Sequence, residues 1–484
     1  MSYIIEQKNQ KGSFGELITA HKSPIVQIAN KYKIDPAALN NLETFEATGG
    51  SADNSENLFR CQTGTSVGGY GVIRSKDTLN YRAGQGVEAM FTASFTTGVA
   101  LSLQFGGLFN LTETVAFGYD GTDFSCLHSY GGEAELQIID ITVTGAGTCT
   151  VTLDSVASAG ITVTNSDIIT NAAEILAGLN IDTLANSWRF EQVGSEVYCI
   201  SKSVGDKVGT FSISGGITAS ITEQTSGVNK TDGHVTQASW NITTTPFAGF
   251  DPTQLNVYKI QFGYLGVANI TYSIYDPNIG DFVVVHQIQW ANSNNSTHVG
   301  NPNFKIGWTS ASLGASGTNL TVLGASGSIF LEGDEVIPNS TFSTSSSESG
   351  VGTTLTNIET IKNRLVYGNQ YNLGKAFPIR VSVENDHTKA IIVQIIRNAT
   401  VAGTLDYEYQ DEFNSTMLVE TNGTTVTGGT IIDSIIVEKA TSEVIDLTIL
   451  NSEILPEETL TIAAQTVSGT GAVVTSSLTW KEEK

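Results

Sequence analysis

Apolar and polar positions alternate in short runs along most of this chain. Between Tyr81 and Gly132, aromatic and branched residues (Phe91, Phe95, Val99, Leu101, Leu103, Phe105, Val115, Phe117, Tyr119, Phe124, Leu127) are separated by Gly, Thr, Asn and Asp. From Val99 to Phe105 the odd positions are apolar, the period of two that marks a half-buried strand. The pattern returns between Val235 and Val336. Tyr258, Ile260, Phe262 and Tyr264 alternate, as do Ile270, Tyr272 and Ile274, and then Phe282, Val284, His286, Ile288 and Trp290. Strands this short and this often broken by turns predict a β-sandwich rather than a βαβ sheet. The two runs read as two halves of one jelly-roll sandwich, residues 43–134 and 231–337, split by an insertion.

The insertion, residues 135–230, changes period. Strand-like runs flank one amphipathic helix, in which Ile168, Ala172, Ile175, Leu176 and Leu179 share a face. Asp167 is placed to cap its start and Gly178 to end it. Two further strands follow, giving a small ββαββ domain set between turn-like sites, Gly131-Gly132 and Lys230-Thr-Asp-Gly. Residues 1–42 carry little apolar surface and are expected to act as an attachment arm, or as a strand leading into the sandwich. The Ser/Thr/Gly run 338–353 reads as a flexible linker. Residues 354–484 alternate again and predict a C-terminal β-sandwich, closing on SSLTWKEE, whose charges would guard a sheet edge. The expected fold is all-β: a split, concanavalin-like jelly roll with an inserted α+β domain and a second sandwich.

At 484 residues the chain is long enough for several cores. Charged residues make up only 15%, yet 48 acidic against 24 basic side chains leave a net charge of −24. No basic footprint for nucleic acid exists, and anionic membrane surfaces are disfavoured. No apolar run reaches the length of a membrane span, and the N-terminus lacks the apolar core of a signal peptide. Cys61, Cys126, Cys149 and Cys199 form no metal-ligand spacing and read as buried free thiols. No cofactor is implied.

Catalytic motifs are absent from the sequence: there is no nucleophile elbow, zinc-protease helix, P-loop or dinucleotide fingerprint. The one enzyme class worth weighing is glycoside hydrolysis, since jelly rolls can carry paired carboxylates. Its nearest candidate is Glu133-Ala-Glu135, read as acids of a turn. Sugar could instead stack on loop aromatics, of which Tyr70, Tyr81, Tyr119 and Tyr130 are the candidates. His128 and His286 occupy comparable places in the two half-sandwiches and would form a ligand site if they met. Arg74, Lys76 and Arg82 would bridge local acids or hold an acidic ligand.

The stretches YRAGQGVEAMFTASF, FGYDGTDFSCLHSYGG, DPTQLNVYKIQFGYLGVANITYSIYDPNIGDFVVVHQI and NPNFKIGW, with the ending ILPEETLTIAAQTVSGTGAVVTSSLTW, resemble virion structural proteins of tailed phages and large aquatic DNA viruses. That resemblance implies a non-enzymatic fibre, spike or capsid-decoration protein on the virion surface. It further implies contacts with other capsid or tail proteins, assembly as a homo-oligomer with a trimer favoured, and a role in host attachment through a surface glycan. It brings no functional residue with it.

Overall fold

The computed structural model describes residues 22–484 except 40, 80–83, 165, 264–265, 315–316, 334–339 and 449–452. The chain divides into two compact units. One joins Met1–Gly132 to Asn229–Val336, the other Glu133–Val228 to Ile337–Lys484.

The first unit is a sandwich of two antiparallel sheets, nine and eight strands among the described residues. At the centre of the larger sheet, Gly86–Phe95 pairs with Asn256–Gly263 on one side. On the other side it meets Ser326–Glu332 and then Thr321–Gly324. The smaller sheet runs from Asp123–Tyr130 through Thr114–Asp120, Ser102–Phe109, Lys305–Ser312 and Tyr70–Ser75 to Leu42–Ala47. Alternation explains the core. Val87, Ala89, Phe91, Ala93 and Phe95 point inward with Tyr258, Ile260 and Phe262 to meet Phe117, Ile306 and Trp308 of the facing sheet. The rings of Phe117 and Tyr258 lie 4.9 Å apart across the sandwich.

Three expectations are sharpened by the strand pairing. Of the two readings of residues 1–42, the described part follows the leading strand rather than the attachment arm: Lys22–Ala29 pairs with Ser326–Glu332, and residues 1–21 lie outside the described residues. The alternation from Val99 to Phe105, read as a half-buried strand, marks the strand Ser102–Phe109, which begins three residues later. Leu101 is an exposed turn residue with φ of 57°, and Leu103 and Phe105 pack on the outer face of the smaller sheet with Phe109 and Leu127. In Asp281–Ile288 the register shifts opposite Tyr272/Ser273, so Val285 rather than Val284 fills the core.

In the second unit the helix spans Ile168–Asn180, its N-terminus capped by Asp167, whose Oδ1 accepts the Thr170 N–H at 2.8 Å. It runs past Gly178, which packs against Ile161 where a Cβ would come within 2.7 Å. Ala172, Ile175 and Leu179 sit on a four-stranded sheet whose central strands are Glu196–Val204 and Ala134–Val143. The C-terminal sandwich faces a four-stranded sheet against one of six strands around Trp480, Ile361, Ile395 and Ile462. The inserted domain and this sandwich join through specific contacts. Glu191 accepts the Leu365 N–H at 2.7 Å and pairs with Lys362, and the hydroxyls of Tyr198 and Tyr409 meet at 2.8 Å.

The expected linker is corrected. Thr341–Val351 is an eleven-residue strand at the edge of the four-stranded sheet, paired with Ala472–Glu483. The charged C-terminal strand therefore lies inside its sheet, between Thr341–Val351 and Lys375–Asn385, and the Ser/Thr strand takes the edge. Among the described residues no helix is long and apolar enough to cross a membrane.

Candidate functional site

Alternation along Asp123–Tyr130 carries Phe124 and Cys126 into the sandwich core and leaves His128 and Tyr130 on the same face near its end. The chain from Trp290 to Asn301 closes over them. Ring stacking sets His128 against Tyr130, centroids 4.9 Å apart, and Trp290 stands edge-on to Tyr130 at 5.0 Å. His298 completes the group, edge-on to Trp290 at 5.7 Å.

Hydrogen bonds hold this covering segment. The Nε2–H of His128 donates to the His298 carbonyl at 3.0 Å, and the Trp290 indole N–H to the Ser296 carbonyl at 2.6 Å. Glu113 accepts the backbone N–H groups of Gly300 and Asn301. The Asn110 amide donates to the Asn301 and Asn303 carbonyls at 3.0 and 3.3 Å. Burial lowers the His128 imidazole to about 4 and raises the Glu113 carboxyl to about 7. Both groups are therefore tuned by the packing that makes them structural. Beyond Trp290 the segment is polar: Asn292, Ser293, Asn294 and Asn295 line an open depression of about 520 Å³.

The four residues expected at a ligand site are placed as follows. His128 and Tyr130 are together. Tyr119 is not with them: it lies in the core against Phe95 and Phe124, 7% exposed, with no ring face open to a sugar. His286 does not meet His128. It stands 6.2 Å from Tyr272 and accepts the Asn241 N–H on Nδ1 at 3.2 Å. Tyr70 is partly exposed and Tyr81 lies outside the described residues, as does Arg82. Arg74 donates to Glu43 at 2.8 Å, and Lys305 to the other oxygen of the same carboxylate at 2.7 Å. Burial raises the Glu43 carboxyl, but these two cations more than offset it and hold it below its ordinary range.

The glycosidase candidates are committed elsewhere. Glu135 is fully buried; Oε1 accepts from Gln137 at 2.6 Å, and Oε2 from the backbone N–H groups of Lys207 and Gly227 at 3.2 and 3.1 Å. It fastens the root of the inserted domain and has no lone pair aimed at a cleft. Glu133 pairs with Val228 through its backbone in the same root.

One arrangement that sequence reasoning missed has the order of a nucleophilic triad. The Ser129 hydroxyl lies 3.2 Å from His234 Nε2, whose Nδ1 is 2.9 Å from Asp120. Ser129 is buried, however, and sits mid-ladder between Thr114 and Asp232, so the peptide groups around its hydroxyl are spent in strand pairing. Attack by serine needs both access and free N–H donors for the oxyanion. Among the described residues no cluster of three or more His, Cys, Asp or Glu side chains could hold a metal ion, and all four cysteines are buried free thiols.

No protein-family model and no curated protein matches the chain. Among solved structures, the carbohydrate recognition domain of Emp47p is similar at 11% identity and a TM-score of 0.26, over 65% of this chain and 97% of that one. Arcelin-5, a lectin-like defence protein from Phaseolus vulgaris, gives 8% and 0.26 over 65% and 100%. Lectin II from Ulex europaeus gives 8% and 0.25 over 64% and 100%. Scores this low carry no weight for ligand or role, and the fold rests on the sheets themselves.

Proposed function

We propose that this chain is a non-enzymatic structural protein exposed on a virion surface, as a fibre, spike or capsid decoration. The observation that supports it best is the fate of the chemically capable side chains. Glu135, Glu113 and His128 are buried and bonded to backbone, where each pins a segment of the fold. A protein that spends its buried acids and imidazoles in this way is built to persist in shape. The resemblance of the quoted stretches to virion proteins supplies the setting. Gold-labelled antibody against the purified chain should decorate intact particles in electron micrographs. Absence of label from particles, with the chain recovered only from soluble fractions, would reject the reading.

A second reading is favoured by the open depression at Asn292–Asn295. Neutral amides and hydroxyls are the groups that exchange hydrogen bonds with sugar hydroxyls, and Trp290, which packs on the half-buried Tyr130, lies two residues before them in the chain. In this reading the surface protein also binds a host glycan. A glycan array should then show hits that are lost in Asn294→Ala with Asn295→Ala; an array without hits removes glycan attachment while leaving the structural role intact.

A further inference from the structure

We propose that Thr341–Val351 is a self-association edge, which pairs antiparallel with the same strand of a second copy across a two-fold axis.

The hydrogen-bonding directions along this strand are fixed by two observations. Glu482 donates its N–H to the Ser340 carbonyl, so even-numbered residues here face the neighbouring strand Ala472–Glu483. The Ser343 carbonyl instead accepts the Gln410 side-chain amide at 3.1 Å, so odd-numbered residues face outward. In an antiparallel ladder a residue's N–H and C=O point the same way. Ser345 and Ser347 therefore present both groups at the open edge, beyond the reach of Gln410. An axis centred on Ser346 pairs Ser345 of each copy with Ser347 of the other, about four hydrogen bonds in all. The two four-stranded sheets would become one continuous sheet.

Charge selects the occupant. Each copy carries a net charge of −24, so two copies repel each other over most of their surface. This edge bears one charge in eleven residues, Glu348. In the centred register Glu348 falls opposite Thr344 of the partner copy, so no like charges oppose. Natural edges are usually guarded by Lys, Pro, a bulge or a short strand length; in Thr341–Val351 the one irregularity falls between Glu348 and Val351, beyond the Ser345–Ser347 positions that would pair. A basic partner would be drawn to acidic surface rather than here, which leaves a neutral strand, and a second copy always supplies one.

The test is sedimentation equilibrium of the full chain over a micromolar concentration series. Wild type should fit a monomer–dimer equilibrium. Ser345→Lys with Ser347→Lys places Lys opposite Lys across the axis and should weaken the dimer by at least tenfold at low salt. Both side chains are exposed and the double substitution removes one hydrogen bond, accepted by Ser347 Oγ from the Thr475 hydroxyl at 3.0 Å, so the melting temperature should stay close to that of wild type, which separates a lost interface from a lost fold. Ser434→Lys, on the edge strand Thr430–Val437 of the other sheet, should leave the dimer intact. A wild type that stays monomeric, a trimer, or a dimer weakened by Ser434→Lys and not by the double substitution would each overturn the proposal.

Discussion

Trp308 crosses the first sandwich and donates its indole N–H to the Thr92 carbonyl of the facing sheet at 2.9 Å. The ring fits because Gly324 lies beside it: a Cβ there would come within 2.2 Å of Trp308 Cε2. Gly324→Ala should therefore destabilise the unit by about 2–3 kcal/mol, the usual cost of forcing a methyl into a filled core. Urea unfolding followed by tryptophan fluorescence reads this directly. An unchanged midpoint would mean that the two sheets are not held at the spacing the indole sets.

Glu135 yields the second expectation. Its removal leaves the buried N–H of Gly227 and the part-buried N–H of Lys207 without this acceptor. Glu135→Ala should cost about 3 kcal/mol, since a lost acceptor exposes the desolvation penalty of both donors. Amide hydrogen exchange should accelerate at Lys207 and Gly227 first. A variant that keeps slow exchange at both would remove the carboxylate from its role at the root of the inserted domain.

Where alternation and burial agree, the fold was legible in the sequence. Tyr258, Ile260 and Phe262 read as one face and form one face, and the helix was visible through Asp167 and the spacing of Ala172, Ile175 and Leu179. Thr341–Val351 was illegible because its run of Ser and Thr from Ser343 to Ser347 gives no apolar period. What makes it a strand is Ala472–Glu483, more than a hundred residues later, which no local pattern reports. The same holds for the site. His128 and Tyr130 sit two apart on one strand, so their meeting was readable. His298 and Glu113 lie in runs without periodicity, and only the closure of the Trp290–Asn301 segment brings them in.

Ser129 makes a third case, in which geometry resembles catalysis and packing forbids it. A serine that is activated and reachable reacts with fluorophosphonates. Ser129 has the imidazole but is buried in the ladder. The folded chain should therefore take up no fluorophosphonate label. Stoichiometric labelling, abolished by Ser129→Ala, would revive the hydrolase reading.

Glu359 is fully buried; Oε1 accepts from Ser476 at 2.6 Å, while Oε2 has no hydrogen-bond partner among the described residues. Burial raises its carboxyl to about 7. A folded value above the unfolded one means that stability is present in full below about 4.5 and is lost as the pH rises through about 7. Glu359→Gln removes the charge. It should stabilise the C-terminal sandwich at pH 8 by on the order of 2 kcal/mol and have little effect at pH 5. Equal effects at both pH values would show that the carboxyl is ionised throughout, or never.

His128 gives the opposite sign. Burial, aided by the nearby His298 and His234, lowers its imidazole from 6.5 to about 4, although its bond to the His298 carbonyl favours the charged form. Burial also lowers His286 and His298. For His128 the stability contributed by the neutral ring is present above about 6.5 and lost as the pH falls toward about 4, and the lowered His286 and His298 act with the same sign. Glu113, raised to about 7, works against them over part of the same range. A single titration of the wild type would mix the two signs. The His128 contribution is isolated by comparing wild type with His128→Gln, whose amide can still donate to the His298 carbonyl. The wild type should lose on the order of 3 kcal/mol more than the variant between pH 7 and pH 4. Parallel stability curves would show that His128 carries its proton in the fold, and that the aromatic group around it is open to water.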